Sequence, residues 1–254
     1  MNESDYYDAE TGTISFDGKD LSEGEIFQSL RPFFVTNNNL SALEVKECGF
    51  GPGCVRQLSL ALGDCNHSLA SVRLSQNYIG DDPDNLMDGA QLAEIIEALG
   101  VHPQLGNLEL ICMDIGTNEC MALADLLHST FTQLDKLDLS YMDIDDEAVE
   151  ALVGGLTNSN LRVLGLSGNG ITSRGCRSLA DLLGQPNYNL ERLYLSNNNI
   201  GNEGALSFAN ALASNRKLKG LNLRNAFSHN GITSEGWSSF SQTLCNPSSI
   251  NKTF

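Results

Sequence analysis

The stretch LERLYLSNNNI at residues 190–200 contains the pattern that decides the fold. Leucines lie at offsets 0, +3 and +5 of this stretch, a small polar residue at +8 and an isoleucine at +10. The same pattern occurs in LRVLGLSGNGI (161–171) and LASVRLSQNYI (69–79), with variants in LDKLDLSYMDI (134–144), LGNLELICMDI (105–115) and LSALEVKECGF (40–50). LKGLNLRNAFSHNGI (218–232) fits when four additional residues are allowed before Asn230. An internal repeat therefore accounts for most of the chain.

A second pattern follows the +10 residue of each repeat. Apolar residues recur four positions apart, as in Leu179 and Leu183, which predicts one apolar face of a helix. The LxL triplet alternates in polarity, as a half-buried strand does. Each repeat is therefore predicted to fold as a short strand, a turn and a helix. The longest step between repeats contains an insert near Asp81–Asp88.

These patterns give the domain organisation. Residues 1–10 are interpreted as an acidic tail and residues 11–39 as a degraded N-terminal capping repeat. Seven repeats fill residues 40–249 and start at positions 40, 69, 105, 134, 161, 190 and 218. Residues 250–254 are interpreted as the start of a further, truncated repeat. The solenoid would then end on an open apolar edge, which a continuation of the chain or a second subunit could cover.

The repeats must stack to be stable. One repeat offers apolar side chains worth roughly 10–20 kcal/mol, whereas ordering its backbone and side chains costs roughly 30–50 kcal/mol. Stacking lets each apolar face serve two neighbours and pairs the strands in a parallel sheet. Because helices are wider than strands, the stack should curve with its helices outside.

This consensus, LxxLxLxxNxIGxxGxxxLxxxLxxN, resembles the leucine-rich repeat of the ribonuclease-inhibitor type over residues 11–249. The resemblance implies an α/β fold: a right-handed horseshoe solenoid with a parallel β-sheet on the concave face and helices on the convex face. That family includes inhibitors, GTPase activators, immune-sensor domains and scaffolds, so the resemblance alone does not specify a function.

The residue at offset +8 is expected to bond backbone groups of the turn and to form a ladder between repeats. This position holds asparagine in four repeats, namely Asn77, Asn169, Asn198 and Asn230. Cys48 is a weak substitute, and Met113 and Met142 cannot donate a hydrogen bond. The turns of these two methionine repeats are therefore predicted to be looser, with faster amide exchange than the turns of Asn169 and Asn198.

The charge is large and unevenly distributed. The 254 residues include 32 Asp and Glu against 15 Lys and Arg, a formal net charge of −17. Residues 1–160 hold 28 of the acids and 6 of the bases, whereas residues 161–254 hold 4 acids and 9 bases. This charge argues against nucleic acid and anionic membranes as partners, and it favours a basic protein partner. Seven unpaired cysteines and the lack of a secretory signal favour a reducing, cytoplasmic location.

No catalytic, metal-binding or cofactor motif stands out. The four histidines fall at loop or helix-end offsets and are predicted to lie on the surface. The glycine-rich segment 49–53 lacks the lysine of a phosphate loop, and the acidic clusters lack EF-hand spacing. The cysteines fall mostly at apolar or turn offsets, where buried structural thiols are expected. We therefore expect no enzyme activity, no cofactor and no metal.

The concave face is the most promising location for a binding site. Strand offsets +2, +4 and +6 point away from the core, and exposed aromatic residues there are typical of interfaces. The candidate protein-binding residues are Glu44, Lys46, Arg73, Glu109, Ile111, Asp138, Tyr141, Tyr194, Asn222 and Arg224. The favoured function is a non-enzymatic interaction module or scaffold that binds a protein partner on this face.

Two alternatives stay open at this point. One is a GTPase-activating regulator similar to the Ran-type activators, although the chain lacks the acidic tail that such activators usually carry after the last repeat. The other is an inhibitor of a basic enzyme that would use acidic residues of the inner face, although about eight repeats are few for enclosing a whole enzyme.

Overall fold

The computed structural model describes residues 6–21, 25–51, 53–65, 69–79, 87, 89–113, 115–128, 133–157, 159–224 and 230–245. Most of the predicted insert, the predicted truncated repeat at 250–254, His67 and His229 lie outside these residues. The strands in the described part are β1 (Tyr7–Asp8), β2 (Thr13–Asp17), β3 (Asp20–Leu21), β4 (Ala42–Lys46), β5 (Gly49–Phe50), β6 (Ser71–Ser75), β7 (Tyr78–Ile79), β8 (Asn107–Ile111), β9 (Lys136–Asp138), β10 (Val163–Gly165), β11 (Arg192–Tyr194) and β12 (Gly220–Asn222). The helices are α1 (Glu25–Thr36), α2 (Cys54–Asp64), α3 (Gly89–Leu99), α4 (Thr117–His128), α5 (Asp146–Leu156), α6 (Ser173–Leu183), α7 (Gly201–Leu212) and α8 (Ser234–Leu244).

One sheet runs through the whole described chain, in the order β1-β2-β4-β6-β8-β9-β10-β11-β12. All its strand pairs are parallel except β1 with β2. The register places the same offset of successive repeats side by side, so that Leu137 pairs with Leu164 and Leu164 with Leu193. The predicted α/β solenoid with a parallel concave sheet and convex helices is confirmed.

The core lies between the sheet and the helices. Leucines at offsets 0, +3 and +5 are buried except Leu218 and Leu221 of the last repeat, which are partly buried. Most of the helix residues that the four-residue spacing identified, such as Leu58, Ile95 and Leu152, are also buried. Five of the seven cysteines are also buried as free thiols, and burial raises the pKa of Cys54, Cys120 and Cys176 to about 12. These thiols therefore serve as apolar core residues.

The N-terminal half differs from the C-terminal half in ways that the repeat pattern did not predict. Strands β3, β5 and β7 form a second, three-stranded sheet after the first strands. Strand β1 lies within residues 1–10 and pairs with β2. The ring of Tyr6, just before β1, lies 4.8 Å from that of Phe16, and the ring of Tyr7, within β1, lies 4.9 Å from that of Phe33. Part of the segment interpreted as a tail therefore packs on the first repeat unit.

A left-handed residue ends the strand segment of every described unit up to residue 197. Offset +7 has a positive φ in each, at Gly18, Glu47, Gln76, Cys112, Tyr141, Gly168 and Asn197. Non-glycine residues adopt this conformation at a cost of roughly 1–2 kcal/mol. Because five of these seven residues are not glycine, the residue types at offset +7 did not indicate that a left-handed conformation occurs there.

The asparagine ladder connects successive turns as expected. Asn169 accepts a hydrogen bond from the Met142 N–H at 2.9 Å and donates to the Leu139 carbonyl at 3.0 Å. Met142 makes one of these two kinds of hydrogen bond, because its Sδ accepts from the Met113 N–H at 3.2 Å. It cannot make the donated one. The expectation that the methionine turns lack the connection altogether is therefore wrong for Met142, while their faster amide exchange stays a prediction.

His102 corrects another expectation. It is buried, and its Nε2 donates to the Leu62 carbonyl oxygen at 2.9 Å, so it connects two repeats instead of lying on the surface. No helix in the described part of the chain is both long and apolar enough to span a bilayer.

Candidate functional site

The in-register sheet brings one row of predicted site residues together. Glu44, Arg73, Glu109 and Asp138 are direct neighbours across β4, β6, β8 and β9. The same row continues through Gly165 and Tyr194 to Asn222 on β10, β11 and β12. The concave face therefore has two parts, which differ in the contacts that their side chains make.

The first part is an ion-pair cluster of Glu44, Arg73, Glu109 and Lys136. Glu109 lies at its centre, where its two carboxylate oxygens accept from Arg73 Nε at 2.6 Å and Lys136 Nζ at 2.5 Å. Arg73 also lies 3.7 Å from Glu44. The Glu109 side chain is only 5% exposed, so this carboxylate holds three strands together and offers little surface to a partner.

The pKa of Glu109 reflects its burial and its hydrogen bonds with Arg73 and Lys136. Burial alone would raise it, but the hydrogen bonds from Arg73 and Lys136 outweigh burial and hold the pKa at about 2. The same contact with Glu109 raises the pKa of Arg73. Glu109 is therefore ionised throughout the physiological pH range, and its charge is neutralised locally.

This shift predicts a pH-dependent stability. A carboxylate whose pKa is lower in the folded state stabilises that state above its unfolded pKa of about 4.3, and the stabilisation is lost as the pH falls toward 2. We expect Glu109 to contribute about 2–3 kcal/mol above about pH 5 and almost nothing near pH 2. Urea unfolding of the wild type and Glu109→Gln across this range should give a stability difference that shrinks as the pH falls.

A matched variant controls for general acid effects. Glu47 is exposed and forms no ion pair within the described residues, so Glu47→Gln should change the unfolding free energy little at any pH. A Glu109→Gln difference that stays constant with pH would contradict the assigned role of Glu109.

The second part of the face surrounds β10 and is here called the β10 trough. Gly165 and Gly168 add no side chain there, where the neighbouring repeats have larger residues, and Gly165 is itself buried, while Val163 and Ser167 are half-buried. A Cβ on Gly165 would lie 2.7 Å from Asp138 Cγ, and one on Gly168 would lie 2.8 Å from Tyr141 Cγ. The Asp138 and Tyr141 side chains therefore lean across β10 because the two glycines leave room for them.

The walls of the trough are aromatic and basic. Tyr141 is 52% exposed and Tyr194 is 37% exposed, which is unusual for large side chains on a sheet face. Tyr141 is held in place, because its ring lies against Gly168 and its hydroxyl accepts from Asn197 Nδ2 at 3.4 Å. Arg192, next to Tyr194 on β11, is exposed and forms no ion pair within the described part of the chain.

Glu191 and Asp135, two acids beside the β10 trough, form ion pairs within the chain. Glu191 accepts from Lys219 at 2.8 Å and from Arg162 at 3.1 Å, and these hydrogen bonds lower its pKa to about 2. Asp135 lies 3.3 Å from Arg162. Strands β10–β12 and their adjoining residues carry four bases, Arg162, Arg192, Lys219 and Arg224, against Glu191 and the Asp138 carboxylate that lies over Gly165. This half of the concave face is therefore basic, although the chain as a whole is acidic.

The remaining predicted site residues lie farther along the face. Lys46 Nζ is 3.9 Å from an Asp17 oxygen. Ile111 and Asn222 are half-buried, and Arg224 is exposed at the last described strand segment. Arg192 was missed because no candidate was selected from offset +2, although this offset also points away from the core, and Gly165 and Gly168 were missed because glycine offers no side chain to a partner.

Nothing in the described residues forms a metal site or a recognisable catalytic set. No group of three or more His, Cys, Asp and Glu side chains there could hold a metal ion. Cys112 and Cys245 are the two cysteines that are not buried, and no histidine contact to either is described.

Strand–turn–helix units stacked in register, with buried leucines at fixed offsets and an asparagine ladder, define the leucine-rich repeat class of solenoid. A profile described as "Leucine Rich repeat" matches residues 157–180 and 187–209. The chain is a leucine-rich repeat protein.

Two curated mouse (Mus musculus) proteins are similar to part of the chain. "NACHT, LRR and PYD domains-containing protein 12" is 33% identical over 149 residues, and "NACHT, LRR and PYD domains-containing protein 14" is 31% identical over 146 residues. Each match covers 57% of this chain but only 13% and 14% of the respective relative. The chain therefore corresponds to a small part of these relatives.

Two solved structures are similar at low identity. One is described as "Leiomodin-1 Actin-Binding Site 2 (ABS2)", with 16% identity, a TM-score of 0.43, and coverage of 80% of this chain and 92% of that one. The other is a tropomodulin C-terminal domain from Caenorhabditis elegans, with 16% identity, a TM-score of 0.37, and coverage of 78% and 94%. Both TM-scores are below 0.5, so these similarities carry no further argument.

Proposed function

We propose that this chain is a non-enzymatic interaction module that binds a protein partner in the β10 trough. The observation that carries the proposal is the pair of exposed tyrosines, Tyr141 and Tyr194, in the repeats on either side of β10. Tyrosine and arginine are enriched among the residues that dominate binding energy at protein interfaces. Arg192 adds the second of these residue types to the same location.

The tyrosines are prepared for binding. The backbone of Tyr141 is fixed in the left-handed turn conformation, with φ of 59°. Its ring is supported by Gly168 and its hydroxyl by Asn197, so little side-chain entropy is lost when a partner covers it. A supported aromatic ring that is half exposed offers apolar area together with a hydroxyl group, which suits a protein segment.

The charges support a specific partner chemistry at this location. Glu109 and Glu44 are neutralised by their own cluster, and Glu191 is neutralised by Lys219 and Arg162. The basic partner that the net charge favours would therefore find few free acids on the concave face. We propose instead that the segment bound in the trough presents a carboxylate to Arg192.

The other expectations from the sequence remain proposals. A GTPase-activating role and inhibition of a basic enzyme draw little support from the described structure, because the inner acids Glu44, Glu109 and Glu191 form internal ion pairs. The repeat boundaries, the cytoplasmic location, and a continuation or self-association at the C-terminal end likewise stay proposals.

The proposal is tested by affinity capture with quantitative mass spectrometry. We expect Tyr194→Ala to reduce the recovery of specific partners by about tenfold or more, the size of a typical hot-spot loss. The matched control is Leu206→Ala, which removes an equally exposed apolar side chain from helix α7 on the convex side. A protein that Leu206→Ala releases and Tyr194→Ala retains would place the binding surface elsewhere.

A further inference from the structure

A groove of about 400 Å³ lies between helices α3 and α4, on the helical side of the solenoid. Its lining combines apolar side chains with two acids, Glu97 and Asp125. The apolar lining consists of Ala93, Ile96, Gly100, Ala122 and Leu126. The concave face does not contribute to this groove, so it is independent of the function proposed above.

The groove exists because the facing residues are small. Ala93, Gly100 and Ala122 leave space between the two helices, and Ile96 and Leu126 provide buried apolar surface. The next pair of helices is different, because Gly155 of α5 packs directly against the backbone of Ala124 on α4. The space between α3 and α4 is therefore a local feature and does not recur at α4 and α5.

The acids of the groove have no internal counter-charge. Glu97 and Asp125 are both exposed, and neither forms an ion pair within the described residues. The sequence between Arg73 and Lys136 contains no lysine or arginine. On the flanking helices α2 and α5, the only base is Arg56. The two acids are therefore available to pair with a cation that a partner brings.

We propose that the α3–α4 groove is a second interaction surface, which accepts an arginine or lysine side chain of a partner protein flanked by apolar residues. The aliphatic stem of such a side chain would lie on Ile96 and Leu126, while its charged head would reach Glu97 and Asp125. Apolar neighbours in the partner would fill the space that Ala93, Gly100 and Ala122 leave. This assigns the basic partner that the net charge favours to the convex side of the molecule.

The test uses a defined probe and the full chain. An acetylated, amidated Leu-Arg-Leu peptide is titrated into the isotope-labelled protein, and the amide shifts of Gly100 and Ala122 are followed by NMR. A peptide with citrulline in place of arginine is the matched probe, since it keeps the shape and removes the charge. We expect saturable shifts with the arginine peptide and about fivefold weaker binding of the citrulline peptide, because the uncharged side chain cannot form the exposed ion pairs with Glu97 and Asp125.

Two variants make the outcome decisive. Glu97→Gln with Asp125→Asn should weaken the arginine peptide to the level of the citrulline peptide, because both exposed acids are lost without a change of shape. Tyr194→Ala should leave the titration unchanged, because it lies on the other face. Equal binding of the two peptides, binding retained by the double variant, or no shift at Gly100 and Ala122 would each overturn the proposal.

Discussion

Replacing Asn198 by alanine is expected to lower the free energy of unfolding by about 3–4 kcal/mol, more than most surface or core changes. The Asn198 side chain is buried, and its Oδ1 accepts from the Ile171 N–H at 3.1 Å. Its Nδ2 donates to the carbonyls of Leu166 at 2.8 Å and Leu195 at 3.1 Å. Alanine would leave these buried backbone groups without their partners, and urea unfolding monitored by circular dichroism measures the loss.

The adjacent residue provides the control for this prediction. Asn199 is exposed, and no hydrogen bond of its side chain is described, so Asn199→Ala should change stability by less than about 0.5 kcal/mol. A similar effect of the two substitutions would show that the asparagine ladder does not hold successive turns together.

A glycine in helix α5 gives the second large effect. A Cβ on Gly155 would lie 2.7 Å from both the Cβ and the carbonyl oxygen of Ala124, so helix α4 would have to move away. We expect Gly155→Ala to lower the free energy of unfolding by about 2–3 kcal/mol, because overpacking against a backbone cannot relax by side-chain rotation. The midpoint of urea unfolding reports this change.

The preceding glycine should respond in the opposite direction. Gly154 has no heavy atom within 4 Å of the position of an added Cβ, and it lies in the same helix. Gly154→Ala should therefore stabilise the protein by about 0.5–1 kcal/mol through the higher helix propensity of alanine. Destabilisation by both substitutions would mean that α5 does not pack on α4 as described.

The fold could be predicted because one pattern is repeated many times. Each repeat places leucines at the same offsets, and parallel stacking in register follows from the need to bury them. Asn77, Asn169, Asn198 and Asn230 were also assigned to the turns from their offset alone. Because the pattern recurs, it can still be recognised where one repeat departs from it, as at Met113 and Cys48.

The candidate site was harder to predict, because side chains of neighbouring repeats decide it jointly. The sequence placed Glu109 and Asp138 in one row, but it could not show that Arg73 and Lys136 both bond Glu109 and bury it. Likewise, Gly165 and Gly168 are visible in the sequence. The surface of the β10 trough, however, depends on the positions of the Asp138 and Tyr141 side chains above these glycines, which the sequence does not give. The charges of the row residues, taken one by one from the sequence, therefore overestimated the acidic surface that is available to a partner.

Other details depend on geometry that no single offset records. His102 lies at the end of a helix by sequence, yet its ring reaches the Leu62 carbonyl of another repeat. The left-handed residues at offset +7 include glutamine, cysteine and tyrosine, which do not favour this conformation by themselves. In both cases the stack imposes the local conformation, and local sequence preferences do not reveal it.

The central claim is that a protein partner occupies the β10 trough beside Tyr194. The most direct measurement introduces the photoreactive residue benzoylphenylalanine in place of Tyr194 and, separately, in place of Leu206 on the convex side. After irradiation in cell lysate, we expect a discrete covalent adduct from the Tyr194 position and none from the Leu206 position. A discrete adduct from the Leu206 position, with none from the Tyr194 position, would contradict the claim.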